Sequence, residues 1–472
     1  MSTHCGYVVE VNKLRPHSNA DRLQIATFFG NDTCVGLDVQ IGDMGIYFPS
    51  DLQLSVEFAE VNNLLRKKDD AGNSIGGYMD ESKRNVTAIR LRGERSDGLF
   101  LPLTCLETFG DVSALKEGDV INTFNGHEIC CKYIPRRTHR QGGYSEGNKT
   151  RKKKVDVVPL FAEHADTEQL AYNLGAFKPG DEIEITLKMH GTSQRTGYLP
   201  VFQENSFEWD SYFKYLLYAL NPVKKWRLAY ARKFAKPQYD WGYVSGTRRT
   251  VLENYDDGYY GSNEFREQHS KTCEGKLWKG ETVYYEVVGF THTGAPIMAE
   301  GNNEKLGKDF VKQYGKTTVF SYGCDSVGGI NHDGVPYGPE SDIYVYRMTM
   351  TNEDGAVVEY TPDFMRYRCE QMGVKAVPVF FRGFIPQEVG FFADGIPVTP
   401  GDWVDHMACH YYDGPDPIGK THIREGVVVR ILNRPKFCAY KHKNFSFKVL
   451  EGIIKDTAAA PDMEEAQEIE KE

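Results

Sequence analysis

The sequence predicts an α+β chain in two parts, a small N-terminal β-barrel and a larger unit of antiparallel sheets and helices. Short β-type runs punctuated by turn residues fill the first 130 residues, with little helical periodicity between them. From about Val155 to Gly452, strand-like runs alternate with helical or irregular pieces. A Lys-, Arg- and Gly-rich stretch separates the two patterns. With 472 residues, 40% of them apolar and 12% aromatic, the chain is long enough to bury a core in each of two or three domains.

The expected barrel covers residues 1–130. Its β-type runs are Tyr7-Val8-Val9, Leu23 to Thr27, Gly45 to Phe48, Val86 to Leu91 and Gly98 to Leu101. The stretch Pro16-His17-Ser18-Asn19-Ala20-Asp21-Arg22-Leu23, with Arg90-Leu91-Arg92-Gly93 and then Ser96-Asp97-Gly98-Leu99, resembles the OB-type tRNA-binding domain attached to some synthetases. That resemblance implies an oligonucleotide-binding barrel, although such barrels also serve as passive spacers.

Residues 131–154 read as a basic linker. Between Lys132 and Lys154 nine Lys or Arg residues face a single acid, Glu146, so the segment either touches a phosphate backbone or is a solvated tether. The second unit is expected over residues 155–455, with strands at Glu182 to Thr186, continuing to Leu187, and at Val283 to Phe290, Ile343 to Met350 and Gly426 to Ile431. Apolar residues at near-helical spacing from Tyr212 to Phe234 predict a packed helix, and residues 456–472 an acidic, disordered tail.

A formal net charge of −10 excludes a chain that is basic throughout, so any nucleic-acid contact must come from local basic surfaces. The ten cysteines are scattered without a CxxC pair, which suits a reducing cytosol. Met1 to Arg15 lacks the apolar core of a signal peptide, and no apolar run approaches the roughly 20 residues that span a bilayer. A soluble, cytoplasmic monomer without a membrane partner is expected.

The chemistry concentrates in five ordered segments. Lys188-Met189-His190-Gly191-Thr192-Ser193 follows directly on the strand ending at Leu187, and Tyr285-Glu286-Val287-Val288-Gly289, Tyr344-Val345-Tyr346, Glu425 to Arg430 and Lys441-His442-Lys443-Asn444 come after it. A lysine near a glycine is by itself a weak signal. The five in this order resemble the nucleotidyltransferase motifs of the covalent lysyl-AMP ligases, over residues from about 5 to 452. His190 followed by Gly191-Thr192, and the KxK pair followed by Asn, are similar to the nick-sealing RNA ligases. An N-terminal OB barrel is similar to the RNA ligase 5 group in particular.

The resemblance implies a ligase-type nucleotidyltransferase domain, ATP as substrate, AMP held covalently on Lys188, and Mg²⁺ or Mn²⁺ as cofactor. It implies a three-step sealing of 3′-OH/5′-phosphate breaks in a nicked RNA or RNA/DNA duplex. Lys188 is the nucleophile, and its amine must shed a proton although its ordinary pKa is about 10.4. Lys441 and Lys443 are expected to lower that pKa as neighbouring cations, aided by burial, and to hold the triphosphate. Glu286 is assigned to the ribose and Glu425 to the metal and the reacting phosphate. His190 and Gly191 complete the nucleotide loop. Tyr346, or alternatively Tyr344, stacks on adenine, and Arg347 stands where the family usually has Asp. Arg249, with Arg248 competing, contacts sugar or phosphate, and Arg430 contacts phosphate.

Two other patterns carry less. Gly414 to Thr421 satisfies the P-loop string, but two of its four spacer residues are prolines without N–H, and a strand rather than a helix is expected next. His406, Cys409 and His410 lack a second ligand pair and are expected to be a packed or exposed cluster rather than a metal site. The rivals to a ligase are a non-catalytic tRNA- or RNA-binding protein and a capping-type guanylyltransferase.

Overall fold

The structure is a computed structural model. It describes residues 4–50, 52–68, 74–77, 79–91, 94–133, 157–164, 167–206, 236–248, 250–252, 254–256, 263–298, 300–390 and 398–450. Most of the basic linker, the Tyr212 to Phe234 stripe, Arg249 and the acidic tail lie outside the described residues.

In the N-terminal part, Leu99–Pro102, Met44–Phe48, Gly6–Glu10 and Val120–Ile121 form a four-stranded antiparallel sheet in that order. Leu14–Pro16, Leu23–Phe28 and Asn31–Gly36 form a three-stranded meander. The two-residue period sends successive side chains to opposite faces. Val8, Ile46 and Phe48 enter a core with Phe58 and Leu106, while Val9, Tyr47 and Phe100 join Ala26, Phe28 and Val35 in a second one. Among the described residues these sheets do not join into one closed barrel. The expected run from Val86 to Leu91 is a strand only over Ile89–Leu91; Val86 and Ala88 are buried outside it.

The larger part contains two sheets. The first runs Glu168–Gln169, Ala439–Lys443, Gly426–Ile431, Glu182–Leu187 and Val379–Phe384, antiparallel but for its short first strand. The second runs Lys236–Gly246, Thr192–Ser206, Glu281–Gly289, Ser341–Thr351 and Val357–Glu359, with Lys375–Ala376 parallel to Ser341–Thr351. The chain passes from the first sheet to the second at residues 188–191. A mixed fold of mostly antiparallel sheets is therefore what the strand pattern predicted.

Three cores order these layers. The outer face of the first sheet, with Ile183, Ile185, Val427 and Val429, packs on Val404 and Ala408 of the helix Pro400–Tyr411. Thr399 caps that helix through a reciprocal capping box with Asp402, and Pro400 occupies its first turn. Val283, Tyr285, Val287, Ile343 and Val345 of the second sheet pack on the helices Glu264–Cys273 and Pro362–Met372. Between the sheets lie Leu187, Met189, Val288, Phe320, Tyr322, Tyr344 and Phe447.

The N-terminal part touches the larger one through the Tyr7 and Tyr172 rings, stacked at 4.9 Å, and through Lys448 Nζ at 3.5 Å from Asp97 Oδ2. No helix among the described residues is long and apolar enough to cross a membrane. The P-loop-like segment forms turns and a bridge between Pro415 and Ile423, and the strand that follows begins at Gly426.

Candidate active site

Lys188 sits one residue past its strand, and its N–H donates to the Gly426 carbonyl at 3.0 Å. Gly426 in turn pairs with Lys443, and a Cβ on it would lie 2.1 Å from the His442 carbonyl oxygen at a φ of +148°, so only glycine allows this approach. Three backbones are thereby brought together around Glu425. The Glu425 carbonyl accepts from Asn444 N–H at 2.8 Å, while the Asn444 side chain donates to Asp413 and accepts from Ser446 N–H at the start of the helix Phe445–Leu450.

The side chains follow from that frame. Glu425 is 2% exposed, and its Oε1 lies 2.7 Å from Lys188 Nζ and 3.2 Å from Lys443 Nζ. Its Oε2 is approached by His190 Nδ1 at a long 3.4 Å and makes no hydrogen bond of ordinary geometry. The His190 ring is wedged edge-on between Phe320 and Phe447, with centroids at 4.4 and 4.7 Å, and the His190 backbone N–H donates to Tyr322 Oη at 2.7 Å. Strand alternation puts Lys441 on the face of Lys443, with His442 on the opposite face.

Gly191 permits the crossing between sheets. A Cβ there would meet the Val287 carbonyl oxygen at 2.3 Å and Glu286 Cγ at 2.9 Å, so Glu286, itself 9% exposed, is packed directly against the loop that follows Lys188.

The charge on Lys188 differs from the expectation. Burial, the largest single influence, favours the neutral amine and Lys443 adds to it, but the charge and hydrogen bond of the Glu425 carboxylate, together with Glu286, outweigh the two combined. The net result is a Lys188 pKa raised above its ordinary value rather than lowered. Glu425 answers in kind. Burial alone would raise its pKa, but Lys188 and Lys443 hold it well below the usual carboxylate range.

The two tyrosines differ in setting. Tyr284 pairs with Arg347 and Tyr285 with Val345, so Tyr346 is an extra residue in a bulge, and both Tyr346 and Arg347 face away from the Val345 core. Tyr346 Oη lies 2.9 Å from Ser193 Oγ and its ring 5.0 Å from that of His164. Tyr344, paired with Glu286 and 5% exposed, belongs to the core between the sheets. Arg347 forms a buried ion pair with Glu359 and lies 4.6 Å over the Tyr284 ring.

No family profile and no curated protein matches the sequence. Solved structures of an RNA ligase from Naegleria gruberi do match. A mutant with AMP and Mn gives a TM-score of 0.52 at 15% identity, over 94% of this chain and 97% of that one. Another mutant, with ATP and Mn, gives 0.51 at 15%, covering 94% and 98%. The ligase with PPi gives 0.50 at 16%, again over 94% and 98%. The chain has the fold of this RNA ligase.

On this ligase fold, Lys188, Glu425, Lys443, His190, Gly191 and Glu286 converge at the join of the two sheets. Arg430 stands apart: its guanidinium donates to the Tyr360 carbonyl at 3.0 Å and lies 5.0 Å over the Phe437 ring. Arg249 is outside the described residues. Sequence reasoning missed Tyr322, which anchors the His190 backbone from 132 residues away and carries no local signal. It also missed the grouping of Cys409 with Asp405 and His442. His406 and His410 are exposed and take no part in it.

Proposed function

We propose that the chain is an ATP-dependent RNA ligase that carries AMP on Lys188 and seals 3′-OH/5′-phosphate breaks in RNA-containing duplexes. The observation that carries this reading is the meeting of Lys188 and Lys443 on the Glu425 carboxylate, at 2.7 and 3.2 Å, within an RNA-ligase fold. ATP and Mn accompany that fold in the Naegleria gruberi structures, which supports the same nucleotide and a divalent ion here.

Glu425 holds the nucleophile as its charged partner. Once Glu425 is engaged by another cation, burial and Lys443 both push the Lys188 amine toward its neutral form, with only Glu286 opposing. The free amine then attacks the α-phosphorus of ATP in line and expels pyrophosphate. Lys441 and Lys443 offset the charge that accumulates on the phosphate. AMP passes to a 5′-phosphate, and a 3′-hydroxyl displaces it to join the strands.

The donor set fits a hard divalent ion. Glu425 Oε2 is buried without a regular hydrogen bond, and Glu286 brings a second carboxylate against the same loop. Mg²⁺ or Mn²⁺ bound there would draw negative charge from the reacting phosphate. Glu286 would hold the ribose, Tyr346 or Tyr344 the adenine, and Arg249 sugar or phosphate. The N-terminal part, read as an OB-type domain, would clamp the nicked duplex together with the basic linker.

Sealing assays across all RNA and DNA strand combinations at a nick test the activity. Joining that requires ATP and an RNA strand supports the reading. ATP-independent RNA binding without joining favours the non-catalytic rival, and label taken from GTP rather than ATP favours the guanylyltransferase.

A further inference from the structure

Behind the strand that carries Lys441 and Lys443, three side chains of metal-ligand type meet. Asp405 and Cys409 stand four residues apart on the helix Pro400–Tyr411 and so project from one face. His442 comes from the strand Ala439–Lys443, turned away from the lysines by sheet alternation. Cys409 Sγ lies 3.6 Å from His442 Nε2, Asp405 Oδ1 lies 3.9 Å from Nδ1, and one ligand atom from each residue falls within 4.8 Å of the others.

We propose that Asp405, Cys409 and His442 bind one divalent ion of the zinc type. A tetrahedral ion with Zn–S of about 2.3 Å and Zn–N of about 2.0–2.1 Å places its sulfur and nitrogen ligands about 3.6 Å apart, which is the Cys409–His442 separation already present. The mixed S, N and O set selects zinc or cobalt over Mg²⁺ and Mn²⁺, which prefer oxygen ligands, so this site and the Glu425 site take different ions. Cys409 is exposed while Asp405 and His442 are half-buried, so an ion enters from solvent and keeps a fourth position for water.

His442 would bind through a neutral ring nitrogen. On binding, the Cys409 thiol gives its proton to solvent and the thiolate sulfur bonds the ion. The ion would tie the helix to the strand and fix the residue between the two lysines. The site is independent of the ligase reading and stands or falls separately.

Titrating the chelator-treated full-length chain with Co²⁺, followed by absorbance, tests it. A thiolate-to-cobalt charge-transfer band should grow to saturation at one ion per chain and bleach on addition of Zn²⁺. Cys409→Ser, at an exposed position, should abolish the band. Asp405→Asn should weaken binding by at least the roughly tenfold lost when an outer-sphere partner is removed. No band in the wild type, or a band that Cys409→Ser retains, overturns the proposal.

Discussion

Lys188 Nζ lies 2.7 Å from Glu425 Oε1, and the same oxygen receives Lys443 Nζ at 3.2 Å, so two ammonium groups share one buried carboxylate. The proposed nucleophile is thus held in its protonated form until something else engages Glu425.

Replacing Glu425 should therefore have two effects. Glu425→Ala leaves both lysines without their anion, which is expected to cost on the order of 3 kcal/mol in urea unfolding and to abolish AMP attachment. Lys188→Ala should also abolish attachment but cost much less stability, because Glu425 keeps Lys443. Equal stability losses in the two variants would show that the carboxylate is not the hub of the site.

The shared carboxylate also fixes a pH dependence. The Glu425 pKa is depressed, so its ion pairs stabilise the chain above the ordinary carboxylate pKa of about 4.3, and that contribution is lost as pH falls through the folded value. The Lys188 pKa is raised, so its share is present below about 10.4 and lost only at higher pH, as the folded value is passed. The stability gap between wild type and Lys188→Ala should be constant through neutral pH and shrink in acid. A gap that persists unchanged as pH falls far below the ordinary carboxylate pKa contradicts the pairing.

Gly191→Ala tests the crossing between sheets. A Cβ 2.3 Å from the Val287 carbonyl oxygen must displace backbone on one side or the other, at a cost of roughly 1–3 kcal/mol. Because the displaced loop carries Lys188 and His190, AMP attachment should fall further than stability alone explains. Calorimetry beside a labelling assay checks this, and wild-type labelling in the variant would refute the tight crossing.

Removing residues 1–130 should spare AMP attachment, since every residue assigned to that step lies in the larger part. Nick sealing should be lost. The truncated chain should also melt lower, because Tyr172 loses its stacked partner Tyr7 and Lys448 loses Asp97. Full sealing by the truncated chain, measured on a gel, would exclude the clamp.

Much of this was legible in the sequence where chemistry and periodicity coincide. The strands Glu182–Leu187 and Gly426–Ile431 have the expected bounds, because the first alternates polar and apolar residues up to Lys188 and the second is a short β-branched run opened by a glycine. Lys188 follows one strand and Glu425 precedes the other, and those bounds suffice to place both at the sheet join. Less could be read where a partner is distant. The residue types Lys188, Lys441 and Lys443 suggested mutual repulsion, but which charge comes closest is set by the backbone contact between Lys188 and Gly426, and that charge is Glu425. The bulge at Tyr346 has no signal in composition. Spacing of four residues could have joined Asp405 to Cys409, but only the folded sheet brings His442 to them.

The central claim is that Lys188 becomes bonded to AMP. Incubating the full chain with α-labelled ATP and Mg²⁺ or Mn²⁺, denaturing it, and mapping the labelled peptide tests this most directly. The account predicts denaturation-stable AMP on the peptide containing Lys188, with none in Lys188→Ala. Absence of label from the wild type, or label that persists in Lys188→Ala, would contradict it.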